Sequence, residues 1–307
     1  MSPPDFLAMP DFRPIRSRAH PFLRRLRALA RDSGRRREGQ VYIAEGVRWV
    51  EEALAARAPI EAVLVSPGLG RNERGARARA ALAVLRCERF EAPDALLEAV
   101  GHAHTAQGVI LLLRRPDDSL SDLAARASPA PARSPARAVP PGGTASLEAA
   151  GPWVVACGVQ DPGNLGGLLR TSRALGAAGF ITGGGADLFH PRAVRASAGA
   201  LLDLPVASAA GTEELVGFLR GLDARAAVPR GGADPRQFTW NGRSALVLGG
   251  EGAGLPPAVE QACNGRVSVP MRAGSESLNV SAAAAALLAV ISCSGAGGRG
   301  APRNDRR

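Results

Sequence analysis

Ala245-Leu-Val-Leu-Gly-Gly-Glu-Gly-Ala-Gly-Leu255 sets a short apolar run against a turn that holds four glycines and one carboxylate. An uninterrupted apolar run of this length reads as a strand buried on both faces, the form expected in a parallel sheet. Glycines after such a strand let a ligand approach main-chain amides, and Glu251 then stands at the strand's carboxyl end, where open α/β sheets keep their sites. A dinucleotide fingerprint would require G-x-G-x-x-G and an acidic residue roughly twenty positions on. The spacing here is G-G-E-G-A-G, it runs into Pro256 and Pro257, and no such acid follows. A nicotinamide site is therefore disfavoured.

Upstream, Trp153 to Gly158 is a second apolar strand, leading into Val159-Gln-Asp-Pro-Gly-Asn-Leu-Gly-Gly-Leu-Leu-Arg170. Asn164 is placed to cap the helix that follows, Leu165 to Leu175. Its core stripe is Leu165, Leu168, Leu169 and Leu175, whereas Gly166, Gly167, Arg170 and Arg173 lie toward another side. Two glycines where alanine would be more helical need a reason. Close approach of substrate or of a second backbone, and tight helix packing, account for them equally well.

Downstream, Val267-Ser-Val-Pro-Met271 precedes Arg272 to Glu276, and Ser277-Leu-Asn-Val-Ser281 opens an almost wholly apolar helix to Ile291 that must be buried. Ser277, Asn279 and Ser281 stand where free amides and the positive dipole end collect polar groups. Capping explains one of them, hardly three. The intervening Gly179 to Thr182, Ala193 to Leu202, Val206 to Ala207, Thr212 to Leu222, Ala224 to Val228 and Pro256 to Cys263 continue a βα rhythm. That rhythm implies a parallel sheet covered on both faces.

Taken in order, the three segments resemble the motifs of the SpoU (TrmH) family of SPOUT RNA 2'-O-ribose methyltransferases: N-x-G-x-x-x-R, G-x-E-x-x-G-L, and the V-P-M to S-L-N-V-S block. The resemblance covers Trp153 to Ile291, and Asp187, Phe189, Pro191, Arg195, Ala196, Ser197 and Gly199 are similar to the family's connecting stretch. Gly250, Val267 and Val269 depart from it slightly. The implied fold is an α/β SPOUT-type parallel sheet with a C-terminal trefoil knot, an exception to the rule against threaded chains, in a homodimer. The implied cofactor is S-adenosylmethionine, held by Leu248, Gly249, Gly250, Gly252, Gly254, Val269, Pro270, Met271, Leu278 and Asn279, with no metal.

The first half reads as a smaller α/β domain. Phe22, Leu23, Leu26 and Leu29 recur at helical spacing among arginines from Pro21 to Arg31. Val41 to Ala44, Val47 to Ala56 and Ile60 to Val65 form a βαβ unit, followed by helices at Arg77 to Leu85 and Pro93 to Ala99 and a strand at Val109 to Leu113. Tyr42-Ile-Ala-Glu-Gly46 and Thr105-Ala-Gln-Gly-Val109 are similar to the ribosomal-protein-like RNA-binding domain of rRNA-directed members. Domains are expected at 16–115 (RNA substrate binding) and 151–293 (methyltransferase). A flexible Pro/Ala/Ser-rich linker at 116–150 and a disordered basic tail at 294–307 complete the chain.

The formal charge of +10, carried mostly by arginine, suits a polyanion. Arg24, Arg25, Arg35, Arg36, Arg37, Arg173 and Arg195 are the RNA-binding candidates, although a solvated charged face explains the first helix as well. Four scattered cysteines lack any C-x-x-C pair, so zinc and disulfide frameworks are not indicated and a reducing cytoplasm fits. No signal peptide or membrane span is recognisable, so a soluble protein is expected.

By resemblance, Arg170 takes part in activating the ribose hydroxyl. A guanidinium stays protonated, so its role is to grip a phosphate and stabilise developing alkoxide, while the proton leaves through phosphate oxygen or water. Asn164 and Glu251 would orient Arg170 or the loop that carries it; Ser277 and Asn279 would fix the methionine end and the ribose. The competing readings are a noncatalytic RNA-binding or ribosome-assembly protein, which should have lost Asn164, Arg170, Glu251 or Asn279, and a Rossmann-type methyltransferase, whose glycine-rich loop would come early. The extra domain favours rRNA over tRNA.

Overall fold

The computed structural model describes residues 12–100, 108–116, 119–127, 151–272 and 277–296. Thr105 to Gln107, the Ser128–Gly143 part of the expected linker and the tail beyond Ala296 lie outside the described residues. The described chain forms two compact units: 1–116 with 187–203, and 117–186 with 204–307.

The first unit begins with β1 (Arg13–Pro14), α1 (Pro21–Arg31), α2 (Ser33–Glu38), β2 (Val41–Glu45), α3 (Val47–Ala55) and β3 (Ile60–Val65). It continues with α4 (Glu73–Ala83), β4 (Glu88–Glu91), α5 (Asp94–Glu98) and β5 (Val109–Arg114). Pro21 at the first helical position and His20, whose Nδ1 accepts from the Phe22 amide at 3.2 Å, start α1. Phe22, Leu23, Leu26 and Leu29 then turn into a core with Ile43, Leu64 and Leu112. The sheet order is β1-β4-β3-β5-β2. The expected βαβ unit is present, but β5 lies between β2 and β3 and runs antiparallel to both.

The chain next forms α6 (Leu120–Ala127), β6 (Trp153–Cys157), α7 (Pro162–Ala174) and β7 (Gly179–Gly183) of the second unit. It returns to the first unit for α8 (Pro191–Ser197), and ends with β8 (Val206–Ala209), α9 (Thr212–Arg220), β9 (Asp223–Ala227), β10 (Ser244–Gly249), α10 (Pro257–Gln261), β11 (Gly265–Val267) and α11 (Val280–Ala296). The order β11-β9-β10-β6-β7-β8 is parallel at every pairing. Trp153, Val155, Val247, Phe218 and Leu219 pack in its core. Among the described residues no helix is long and apolar enough to cross a membrane.

Four expectations need correction. Within the segment read as linker, Leu120–Ala127 is helical: the Ser119 hydroxyl accepts from the Asp122 amide and the Asp122 carboxylate from the Ser119 amide, both at 3.1 Å, a reciprocal cap. Leu120 and Leu123 are buried in the second unit's core, and so short an apolar pair is invisible to a compositional reading. The last helix runs three residues into the segment read as tail. The stretch read as one helix from Ala193 to Leu202 breaks at Ala198, which has φ 48°. Finally, Arg36, expected on an RNA-facing surface, is 1% exposed. Successive helical residues point about 100° apart, so three consecutive arginines cannot share one face. Arg36 takes the inward position: Nε and Nη2 donate to Asp187 Oδ2 at 2.8 and 2.6 Å, and Nη1 to the Leu29 carbonyl at 2.5 Å.

Asp187 opens the returning segment. Its other oxygen accepts from the Phe189 amide at 3.0 Å, and the Phe189 ring packs 5.3 Å from that of Tyr42, whose phenol burial pushes well above its usual pKa. Removing one partner of a buried ion pair leaves an uncompensated charge at a cost of about 3–5 kcal/mol, whereas apolar replacement of both can be neutral. Asp187→Ala should therefore destabilise the first unit by about 3 kcal/mol in urea denaturation, and Arg36→Met/Asp187→Leu should recover most of that. A loss under about 1 kcal/mol for Asp187→Ala would show that the pair does not hold the returning segment.

Candidate functional site

The carboxyl ends of β9 and β10 open onto a cleft of about 570 Å³. Ala227 to Pro229 end and follow β9; Leu248 through Leu255 end and follow β10; Val269, Met271, Ser277, Leu278 and Asn279 close another side with Val280, Ala283 and Leu287 of α11. The turn after β10 is as tight as its composition suggests. The Gly254 amide bonds back to the Gly250 carbonyl at 3.2 Å, and Gly252 and Gly254 have φ of 87° and 68°. A Cβ at Gly250 would lie 2.1 Å from the Gly158 carbonyl oxygen, so no side chain fits there.

Helix α7 begins one turn earlier than expected. Pro162 takes the first position and Asp161 is the N-cap, its Oδ1 accepting from the Asn164 amide at 2.9 Å. Asn164, read as the cap, is thus inside the helix and its side chain is free for other work. Its Nδ2 donates to Glu251 Oε1 at 2.6 Å, and its Oδ1 accepts from Asn279 Nδ2 at 3.2 Å. Asn279 Oδ1 accepts from the Ser281 amide at 2.9 Å, the capping arrangement at the start of α11. The Gln160 amide donates to Glu251 Oε2 at 3.4 Å.

The structure brings Asn164, Glu251 and Asn279 together and lines the cleft with Ser277 and with every proposed cofactor residue except Pro270, which is exposed. Arg170 is not in that network: it is exposed on α7, with no partner among the described residues. Asn164 and Glu251 are bonded to each other, and neither is bonded to Arg170 among the described residues. Arg173 is half-buried on the same helix. Arg24, Arg25, Arg35, Arg37 and Arg195 are exposed on the first unit, Arg25 within 2.7 Å of Glu61. The sequence reading missed Ala227, Val228, Pro229, Ala283 and Leu287. Applying the strand-end rule to β9 as well as β10 would have found the first three.

Residues 152–289 match the SpoU rRNA methylase family and residues 20–111 the MRM3-like substrate binding domain. An uncharacterized tRNA/rRNA methyltransferase from Mycobacterium bovis is 33% identical over 251 residues, covering 79% of this chain and 77% of its own. The chain belongs to the SpoU rRNA methylase family. The 23S rRNA (uridine(2479)-2'-O)-methyltransferase of Streptomyces viridochromogenes is 29% identical over 91% of both chains. Among solved structures, the SpoU methyltransferase AviRb from that organism, in complex with S-adenosylmethionine, aligns with a TM-score of 0.75 at 25% identity over 91% of this chain and 99% of its own. An S-adenosylmethionine-bound rRNA methyltransferase from Sinorhizobium meliloti aligns at 0.71 and 25% identity over 91% and 97%.

A SpoU methylase uses S-adenosylmethionine, and the cleft fits it in size and in chemistry. Clefts for small ligands run from about 300 to 1,000 Å³. Main-chain groups of the glycine turn offer donors and acceptors, while Leu248, Val269, Met271 and Leu287 supply apolar walls. Partial burial pushes the Glu251 carboxyl up, but its own amide, the Asn164 side chain and the Gln160 amide outweigh this and hold it below the usual carboxylate pKa. It is ionised at neutral pH, so the bonds it accepts persist there and are lost only as pH falls through that lowered value. Gly250→Ala should push the turn off Gly158 and weaken S-adenosylmethionine binding at least about tenfold, roughly 1.4 kcal/mol, in titration calorimetry. Unchanged affinity in a folded Gly250→Ala protein would mean that the turn does not shape the cofactor cleft.

Proposed function

We propose that this chain methylates a ribose 2'-hydroxyl of ribosomal RNA, with Arg170 acting on the reacting hydroxyl and the first unit holding the RNA. The observation that carries this is the junction of the three motif segments at one cleft, where Asn164 of α7 bonds both Glu251 and Asn279 beside the turn after β10. The rRNA-directed relative that matches the chain over nearly its whole length, and the match of residues 20–111 to a substrate-binding domain, favour rRNA over tRNA. A homodimer, a knotted path for the C-terminal segments, a cytoplasmic location and independence of metal belong to the same reading.

S-adenosylmethionine, when bound, supplies an electrophilic methyl group. The 2'-hydroxyl must lose a proton as it is methylated, and negative charge builds on its oxygen. Arg170, exposed on α7, presents a planar five-donor fork that can hold an adjacent phosphate and that oxygen together. It cannot accept the proton, which passes to phosphate oxygen or water. Ser277 and Asn279, on the cleft wall, orient the ribose and the methionine end; Asn164 and Glu251 keep Asn279 and the glycine turn in register. Arg24, Arg25, Arg35, Arg37, Arg173 and Arg195 supply phosphate contacts, Arg36 being committed to Asp187.

Arg170→Ala should leave S-adenosylmethionine affinity nearly intact while ribose methylation, mapped on rRNA from cells that lack the protein, collapses. Arg170→Lys keeps charge but not the fork, and should also lose at least about tenfold in turnover, roughly 1.4 kcal/mol of barrier. Near wild-type turnover of the lysine variant would reduce the role to charge alone, and near wild-type turnover of the alanine variant would remove Arg170 from the mechanism.

A further inference from the structure

We propose that Ser281 is a positioning residue for the methyl transfer, locking α7 to the start of α11 nearly two helical turns before Arg170. The inference rests on the proposed role of Arg170. The Ser281 hydroxyl donates to the main-chain carbonyl of Asn164 at 3.0 Å, across 117 positions of sequence. Its own amide is held by Asn279 Oδ1, and Asn279 also bonds the Asn164 side chain. Asn164 is thus gripped twice at the start of α11, through its main-chain carbonyl and through its side-chain Oδ1.

Gly167 makes the close approach possible. A Cβ there would sit 3.3 Å from Ser281 Oγ and 3.8 Å from its Cβ, so the hydroxyl alone crowds that space. On a helix, residues three apart lie on the same side, so Arg170 stands about one turn beyond Gly167 on that side of α7. It is also about 9 Å along the axis from Asn164 at 1.5 Å per residue, which makes a small tilt at the anchored end a larger displacement of the guanidinium. Misplacement of a reacting group by about 1 Å can cost on the order of 100-fold in rate. Cofactor binding is less exposed to the change, because the glycine turn also closes on itself through the Gly254 amide and the Gly250 carbonyl and lies against Gly158, contacts that do not pass through Asn164.

The two residues are chemically reciprocal, and that gives the test. In the full-length protein, Ser281→Ala removes the hydroxyl, and Gly167→Ala displaces it. Each should lower kcat on rRNA at least about tenfold, with S-adenosylmethionine affinity changed less than about threefold. In Gly167→Ala/Ser281→Ala the added Cβ meets only a methyl group at an ordinary contact distance, so the double variant should be no slower than either single one. Multiplicative losses in the double variant would show that the residues act independently and overturn the proposal. So would wild-type kcat in Ser281→Ala accompanied only by a lower melting temperature, which marks a packing role. Failure of the wild-type protein to methylate any RNA while still binding S-adenosylmethionine would instead remove the function on which the inference rests.

Discussion

One carboxylate decides how the second unit's site is wired. An ionised carboxylate can only accept hydrogen bonds, so Glu251 compels Asn164 to turn its NH2 group toward it. That fixes Asn164 Oδ1 as an acceptor, and Asn279 must then offer its own NH2 group, leaving Asn279 Oδ1 to cap α11 through the Ser281 amide. The orientation of two side-chain amides, ambiguous in isolation, follows from a single charge. Three segments separated by tens of residues are brought into one register by it. The carboxylate keeps that charge because the donors aimed at it outweigh the partial burial that opposes ionisation.

The main chain carries the rest of the cleft. A parallel sheet gathers its carboxyl ends along one edge, and β9 and β10 both deliver their following turns to the cleft. Side chains would only obstruct there. Gly250 abuts the Gly158 carbonyl, and the positive φ of Gly252 and Gly254 lets the strand reverse within a few residues. A cofactor recognised chiefly by backbone groups leaves few side chains whose loss would abolish binding, so polar side chains near such a cleft are better candidates for orienting the RNA substrate than for holding the cofactor.

Much of this was legible in the sequence because it is local or periodic. The buried strand at Ala245 to Leu248 and the apolar stripe of α1 each announce their burial, whereas the apolar helix after Ser281 buries only one side, Ala284, Leu287, Leu288 and Ile291, and leaves Ala282 exposed. Sequence patterning failed where a position is decided by something distant. Asn164 looks like a cap until Asp161 and Pro162 start the helix earlier, and the two readings have the same local composition. Arg36 reads as one of three solvated arginines, because its partner lies 151 positions away. Gly167 could equally have faced substrate; its closeness to Ser281, far away in the chain, is a contact that local composition does not announce.

The returning segment sets the most consequential limit on reading domains from order along the chain. Residues 187–203 leave the second unit between β7 and β8 and complete the first. Their first residue supplies the carboxylate for a guanidinium that is otherwise buried with only main-chain carbonyls for partners. A buried charge without its counter-ion costs several kcal/mol, so the first unit cannot reach its full stability from residues 1–116 alone. During synthesis it must wait for Asp187, which follows the residues of β6, α7 and β7 of the second unit in the chain. Contacts of such sequence separation slow folding, since the loop between the partners must close before the contact is gained. The two units are therefore compact in space but not independent in the order in which they can be made.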